Sequence, residues 1–315
     1  MIDKPGIVYC LSDADYHLDP YVTPTLSSSV ARALIDKSPR HAWYAHPRLN
    51  KNLAADIANE APTPAQDFGS AVHTILLGAG KPLVEVAADD FRTNAAKAKR
   101  DEARAAGKVP LLSKTLARAH DVALAAREQI AGTELAGIFD AGQAEASLFW
   151  EDIEGVNCRA RVDWLPTAAL AGGHIIVPDL KTTGESAAPD AWNRHAYEMG
   201  YDVQAEHYTR GLKALIPGVR SVRFPFIVIE QDAPYGLTIF EFGGQAMAEA
   251  EGKLDKAMAV WGECLSRDVW PGYPVEPVHI DPPKWRTEQS MMRKLGLQRV
   301  YERFFAPHKA RPDPA

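Results

Sequence analysis

The sequence predicts a mixed α/β fold, α+β in organisation, in which a helical N-terminal portion precedes a small mixed β-sheet flanked by helices. Helical patterns fill most of the first 135 residues, before any strong strand signal. Apolar runs rich in β-branched and aromatic residues then predict strands at 144–152, 156–165, 174–180, 222–230 and 237–242. No internal repeat or clear linker separates these elements, so one domain is expected.

The first helices are predicted from local capping signals. Residues 1–25 contain several prolines and are predicted to be irregular. The hydroxyl groups of Ser27–Ser29 can cap the free amides of a helix that ends near Asp36. The dipeptide Ser38-Pro39 then starts a second, short helix.

The remaining helices are predicted from composition and apolar pattern. Residues 68–77 indicate a buried helix, and the Ala-rich, charged segment 91–131 indicates helix with an interruption at Pro110. Residues 189–215 are predicted to be helical between the third and fourth strands, and 244–268 form a long helix after the last strand.

Composition bounds the class of protein. With 315 residues, 46% of them hydrophobic and 24% charged, the chain has an ordinary globular composition. It contains no run of about 18 apolar residues and no apolar signal region near its start, so no membrane partner and a cytoplasmic location are expected. Three widely spaced cysteines argue against a disulfide framework and against a four-cysteine metal site.

The net charge of −6 is not typical of a general nucleic-acid binder. Between positions 91 and 120, however, eight lysines and arginines face only two acids. This segment is either a basic surface that contacts phosphates or a solvated helix face, and the sequence leaves both interpretations open.

An acid-X-Lys motif ends the third predicted strand. Asp179 and Lys181 are two residues apart and therefore project from the same face of the strand. Sixteen residues earlier, Asp163 lies in the preceding strand at hairpin distance. Carboxylates provide the oxygen ligands that Mg²⁺ prefers, and a lysine can hold an attacking water and offset charge on a phosphate. The pattern predicts a metal-dependent phosphodiesterase, whereas either acid alone would be read as a solvated strand end.

Four further residues are candidates for the same site. Glu145 begins the first strand and is either a third carboxylate or a solvent-facing acid. His73, inside the apolar helix, is either a satisfied core histidine, which the sequence alone favours, or a neutral imidazole that binds a divalent ion or orients a carboxylate. Gln204 and Tyr208 share one helix face and could hydrogen-bond a phosphate or the lysine, or form a half-buried surface pair.

The ordered set of these motifs spans about residues 26–273 and resembles the exodeoxyribonuclease VIII type of phage and prophage recombination nuclease, a branch of the PD-(D/E)XK superfamily. The resemblance implies a PD-(D/E)XK nuclease core that uses Mg²⁺, with Mn²⁺ as a substitute. The residue roles that it implies are metal ligation by His73, Asp163 and Asp179, catalysis by Lys181 and support by Gln204 and Tyr208, with Glu145 in the place of an upstream acid.

The same resemblance implies a 5′→3′ exodeoxyribonuclease that acts on linear double-stranded DNA and leaves 3′ single-stranded tails. Its implied partners are a single-strand annealing protein and further copies of the chain in a homo-oligomeric ring. Three alternatives stay open: an endonuclease or single-strand exonuclease on the same fold, a non-catalytic scaffold that binds DNA ends, and a chance motif match. No phosphate-loop motif is present, so ATP hydrolysis is not expected.

We expect one nuclease domain over residues 1–305. Within it, residues 1–135 would form the mainly helical part, 140–270 the catalytic sheet core and 271–305 a C-terminal part that is first Pro-rich and then partly helical. Residues 306–315 are predicted to be a disordered tail.

Overall fold

The computed structural model of the chain describes residues 1–53, 62–152 and 155–304. Its contacts define two compact units, Met1–Gly272 and Tyr273–Ala315. The expectation of one nuclease domain over 1–305 stays a prediction, and the tail predicted at 306–315 lies outside the described residues.

Helices dominate the first third of the larger unit. Its helices are α1 Asp13–His17, α2 Ser28–Asp36, α3 Pro39–Ala45, α4 Pro64–Leu77, α5 Asn94–Ala105, α6 Ser113–Ala131, α7 Pro189–Glu198, α8 Tyr201–Leu215 and α9 Gly244–Arg267. The second unit contributes α10 Lys284–Phe304. Within the described ranges, none of these helices combines the length and the apolar character that a membrane span requires.

Short strands complete the larger unit. They are β1 Gly6–Val8, β2 Leu83–Val86, β3 Val109–Leu112, β4 Gly142–Glu151, β5 Asn157–Pro166, β6 Gly173–Ile176, β7 Asp179–Thr183, β8 Val219–Arg223, β9 Phe226–Glu230 and β10 Leu237–Phe240. One sheet has the antiparallel order β1-β4-β5. A second has the order β10-β9-β7, in which β9 pairs antiparallel with β10 and parallel with β7. Two parallel pairs, β2-β3 and β6-β8, are also present. These small sheets, flanked by helices, confirm the predicted mixed α/β class.

Two of the predicted strands are each divided in two. The run 174–180 becomes β6 and β7, and the run 222–230 lies in β8 and β9. Each division lies at a proline, Pro178 or Pro225, which has no amide hydrogen to donate to a neighbouring strand. Backbone hydrogen bonds from Val177 to Arg223 (3.0 Å) and from Asp179 to Pro225 (2.9 Å) nevertheless carry the parallel alignment across the break.

Three other predictions need correction. Residues 1–25 are not wholly irregular, because β1 pairs with β4 and α1 is capped by Ser12. The segment 91–131 contains β3, which passes through Pro110 and pairs with β2. The helix predicted at 189–215 is broken at Gly200, whose φ of 69° lies in the left-handed region.

Among the described residues, the two larger of three hydrophobic clusters hold the main elements together. In the first, Trp150 of β4 is 1% exposed and lies beneath α8. In the second, Phe68 and Val72 of α4 pack with Leu180 of β7 and Ile227 of β9. The second cluster fixes α4 against the strand that carries the acid-X-Lys motif.

Substitution of a glycine tests how tightly α8 packs on β4. A Cβ atom at Gly211 would lie 2.8 Å from the ring of Trp150, which is buried and donates a hydrogen bond to Asp152. We expect Gly211→Ala to lower the free energy of unfolding by about 1–3 kcal/mol through overpacking. The matched control is Gly252→Ala, at an exposed position of α9 with open space, which should raise it by up to about 1 kcal/mol. Urea unfolding measures both, and equal stability of Gly211→Ala and the wild type would contradict this packing.

Candidate metal centre

Strand β7 presents Asp179 and Lys181 on one face and Leu180 on the other. Leu180 enters the second hydrophobic cluster and thereby fixes the strand's orientation. The Asp179 side chain is 2% exposed and that of Lys181 is 20% exposed, and the two form an ion pair. The predicted alternation therefore brings the carboxylate and the ammonium together, as expected.

Helix α8 supplies a second partner for Asp179. Gln204 Nε2 donates to Asp179 Oδ2 over 2.9 Å, while Oδ1 faces the Lys181 ammonium and accepts no other hydrogen bond from the described residues. Gln204 is expected from the sequence to bond a phosphate or the lysine; in the structure it bonds the acid that holds the lysine. Tyr208, one turn further along α8, is buried in the first cluster against Phe224.

Aromatic rings surround the lysine. Its ammonium lies 5.1 Å from the ring centroid of Tyr201 and 5.7 Å from that of Phe226, within the range of cation–π attraction. Tyr201 was not among the residues predicted from the sequence, although its position three residues before Gln204 places both on one face of α8.

The hairpin β4–β5 brings in two more acids. Glu145 and Asp163 stand opposite each other, between the registered pairs Ala144↔Trp164 and Ala146↔Val162. Asp163 Oδ2 accepts a hydrogen bond from the Leu180 amide over 2.8 Å, which ties β5 to β7. This bond explains how an acid of the hairpin comes to lie beside the acid-X-Lys strand.

Helix α4 positions His73. The helix begins at a capping box formed by Thr63 and Gln66 and ends at Gly78, whose φ of 66° is left-handed. At Gly69 a Cβ atom would lie 3.3 Å from Thr182 Oγ1, so a glycine permits the close approach of α4 to β7. As a result, His73 Nδ1 lies 3.8 Å from Asp163 Oδ2.

Three of the side chains form a cluster suited to a divalent cation. One donor atom from each of His73, Glu145 and Asp163 lies within 4.8 Å of the others. Two carboxylates and an imidazole are a donor set that binds Mn²⁺ and Mg²⁺. The structure thus brings Glu145, the upstream acid, next to two of the predicted ligands. Asp179 lies outside this cluster of three, and its predicted role as a ligand stays a prediction.

Burial and crowding of negative charge shift the acids of the site. Burial and then the charge of Asp163 raise the pKa of Glu145 to about 7. Burial likewise raises the pKa of Asp179, although the Lys181 ammonium opposes the shift. Burial lowers the pKa of Lys181, but the charges of Asp179 and Asp163 outweigh it and leave the pKa above its usual value. Lys181 therefore stays protonated at neutral pH.

The basic segment 91–120 is largely neutralised by neighbouring acids. With acids among the described residues, five of its eight cations form ion pairs, namely Arg92 with Asp90, Arg100 with Asp101, Arg104 with Asp67, Lys114 with Asp89 and Arg118 with Asp232. The pair of Arg104 with Asp67 attaches α5 to α4 at 2.9 Å. Part of this charge therefore supports structure and is not free for phosphate.

A strand with an acid-X-Lys motif, beside a hairpin that adds further acids, defines the core of a PDDEXK-like domain. The chain belongs to the family described as "PDDEXK-like domain of unknown function (DUF3799)", whose model matches residues 36–277. A search of curated protein sequences gives no significant match.

A solved structure with a similar fold was found. A protein provisionally described as an exonuclease, from Eubacterium rectale, aligns with 90% of this chain and 99% of its own, with a TM-score of 0.55 and 12% identity. A phage related exonuclease from Haemophilus somnus 129PT aligns with 64% of this chain and 95% of its own at 12% identity, but its TM-score of 0.28 is too low to support a shared fold. The first likeness confirms the predicted fold class and goes no further.

The raised pKa of Glu145 predicts how stability depends on pH without metal. The folded chain holds this proton up to about pH 7, whereas the unfolded chain releases it near the ordinary value of 4.5. The free energy of unfolding therefore falls as pH rises through this interval, because the folded chain must either keep the Glu145 proton or ionise a buried carboxylate. In EDTA, the Tm of Glu145→Gln minus the Tm of the wild type should therefore increase as pH is raised from about 5 to about 8.

The control for this comparison is Glu85→Gln, at an exposed position of β2, which should change little across the same interval. Scanning calorimetry measures all three proteins. A constant Tm difference between Glu145→Gln and the wild type across the interval would show that Glu145 titrates as an ordinary surface acid.

Proposed function

We propose that the chain is a Mg²⁺-dependent 5′→3′ exodeoxyribonuclease of the exodeoxyribonuclease VIII type, acting on linear double-stranded DNA. The observation that carries the proposal is the convergence of the Asp179–Lys181 pair with the cluster of His73, Glu145 and Asp163. The Asp163 bond to the Leu180 amide joins the two halves of the site. The Eubacterium rectale protein with a similar fold is described as an exonuclease, and we propose that activity for this chain as well.

The residues have distinct parts in the proposed hydrolysis. A divalent cation held by His73, Glu145 and Asp163, with Asp179 as a further ligand, would polarise the scissile phosphate and lower the pKa of a water. Lys181 holds the attacking water by a hydrogen bond and offsets the negative charge that develops on the phosphate.

The remaining contacts keep the lysine in place. Asp179 fixes the ammonium, and Gln204 fixes Asp179 from the other side. The rings of Tyr201 and Phe226 exclude water from one side of Lys181. Water adds to phosphorus and gives up a proton to solvent. The P–O bond to the leaving nucleotide breaks, its oxygen takes up a proton from solvent, and no covalent intermediate forms.

The proposal extends to the partners that the resemblance implies. The 3′ single-stranded tails are used by a single-strand annealing protein in recombination. Several copies of the chain form a ring around the DNA, which would concentrate positive charge along an inner surface of a chain whose net charge is −6. One nuclease domain spans residues 1–305.

Removal of the lysine or of its carboxylate tests the site. Lys181→Ala and Asp179→Asn should each lower the cleavage rate by at least about 10²-fold, because the first removes the ammonium that offsets charge on the phosphate and the second removes the carboxylate that fixes this ammonium and serves as a further cation ligand. Cleavage of linear duplex DNA in Mg²⁺ is the measurement, and circular dichroism confirms the fold. The matched controls are Lys213→Ala and Asp190→Asn, at exposed positions on α8 and α7, which should cleave normally. Near wild-type cleavage by Lys181→Ala would refute the assignment.

The form of the DNA tests the type of nuclease. We expect Mg²⁺-dependent digestion of linear duplex DNA with early release of a 5′ label, while EDTA stops digestion and a closed circular plasmid stays intact. Cutting of the circle would indicate an endonuclease instead. Early release of a 3′ label would reverse the proposed polarity. Absence of cleavage with every divalent cation would favour a non-catalytic protein that binds DNA ends.

A further inference from the structure

Glu145 has an unusual backbone for a strand residue. Its φ is 54°, in the left-handed region, although the pairs on either side of it keep the β4–β5 register. A side chain with a Cβ atom rarely adopts this conformation, and such strain persists only where surrounding contacts impose it. The contacts around Glu145 therefore indicate which residues keep its carboxylate beside His73 and Asp163.

Arg161 is the cation nearest the Glu145 carboxylate in the β4–β5 hairpin. It lies on β5 two residues before Asp163, and its Nε atom is 3.9 Å from Glu145 Oε2. The same Nε donates to Ser147 Oγ over 3.0 Å, on the strand that carries Glu145. With its side chain 8% exposed, the guanidinium is a fixed charge beside the cluster.

The other side of the guanidinium is held by the N-terminal segment, residues 11–17. Its Nη2 donates to the carbonyl oxygens of Leu11 (3.0 Å) and Ser12 (3.3 Å), and its Nη1 lies 3.5 Å from Asp13. The guanidinium also stacks 4.2 Å from the ring centroid of Tyr16. Arg161 thus joins the segment to the carboxylate.

The N-terminal segment has anchors of its own. Strand β1 pairs with β4 as far as Val8↔Ser147, two residues from Glu145. Beyond it, Asp13 forms a 2.7 Å ion pair with Lys81, in the turn that follows α4. The segment is therefore fixed to both elements that flank the cluster. It lies outside residues 36–277, which the family model matches.

We propose that Arg161 is a positioning residue. Held by the N-terminal segment, it keeps the Glu145 carboxylate turned toward His73 and Asp163, so that the three together bind a divalent cation. Residues 11–17 are then part of the cation site without touching the cation. The inference rests on the proposed function, because it concerns the cation which that function requires.

A double-mutant cycle tests whether Arg161 acts through Glu145. Mn²⁺ affinity is measured by titration calorimetry without DNA for the wild type, Arg161→Lys, Glu145→Gln and the double variant. Lysine keeps the charge but cannot reproduce the fork of donors. Arg161→Lys should weaken Mn²⁺ binding by about 10-fold in the wild type, as for other supports of metal ligands. It should cause no further loss in the Glu145→Gln background.

Two controls separate positioning from general anchoring of the N-terminus. Arg48 also holds two carbonyl oxygens of the N-terminal region, those of Tyr21 and Val22, but away from Glu145. Arg48→Lys should leave Mn²⁺ affinity unchanged. Asp13→Asn should weaken Mn²⁺ binding when Glu145 is present and cause no further loss in the Glu145→Gln background. Asp36→Asn, which breaks an exposed ion pair with Arg32, should leave Mn²⁺ affinity unchanged.

Each result decides the inference. Unchanged affinity in Arg161→Lys, or an equal loss in both backgrounds, would overturn it. If Arg161→Lys does not fold, Asp13→Asn with and without Glu145→Gln takes its place, and absence of coupling there overturns the inference. Failure of the wild type to bind Mn²⁺ would instead overturn the metal centre of the proposed function.

Discussion

One hydrogen bond joins the two halves of the site: the Leu180 amide donates to the Asp163 carboxylate. Asp163 belongs to the antiparallel hairpin β4–β5, and Leu180 belongs to the strand that pairs parallel with β9. A hydrogen bond to a charged acceptor contributes about 1.5–3 kcal/mol, more than a neutral one. Because Leu180 is also anchored in the cluster with α4, the same bond brings His73 toward Asp163. This junction therefore places Asp163 and His73 beside the strand that carries Asp179 and Lys181.

The buried pair of Asp179 and Lys181 results from alternation along β7, and a gain in stability does not explain why it is there. Moving two charges out of water costs free energy that their attraction seldom recovers in full. Here Gln204 and two aromatic rings complete the surroundings of the pair. An apolar pair of similar size could pack on β9 without the free-energy cost of removing two charges from water. The proposed hydrolysis requires a fixed ammonium beside carboxylates and would account for this arrangement.

What the sequence predicts correctly depends on local periodicity. Alternation along a strand places Asp179 and Lys181 on one face, and capping hydroxyls locate α2. The sequence does not predict the pairing of β2 with β3, because β3 is short and contains a proline. Nor does it predict the left-handed backbone of Glu145 or the contacts of Arg161, because these depend on a segment more than 120 positions away in the chain. His73 became a candidate ligand by resemblance alone.

The repulsion within the acid cluster explains why a cation should bind there. Burial and the neighbouring charge of Asp163 disfavour the ionised form of Glu145. A dication reverses this, because it stabilises the ionised carboxylates and turns their mutual repulsion into a shared attraction. Binding must then release a proton from Glu145 below about pH 7. Such a cluster cannot relax in the metal-free chain, since Asp163 is fixed by the Leu180 amide and Arg161 faces Glu145. Because Glu145 and Asp163 cannot move apart, their repulsion persists until a cation binds. The more firmly the fold keeps the two acids together, the higher the cation affinity should be.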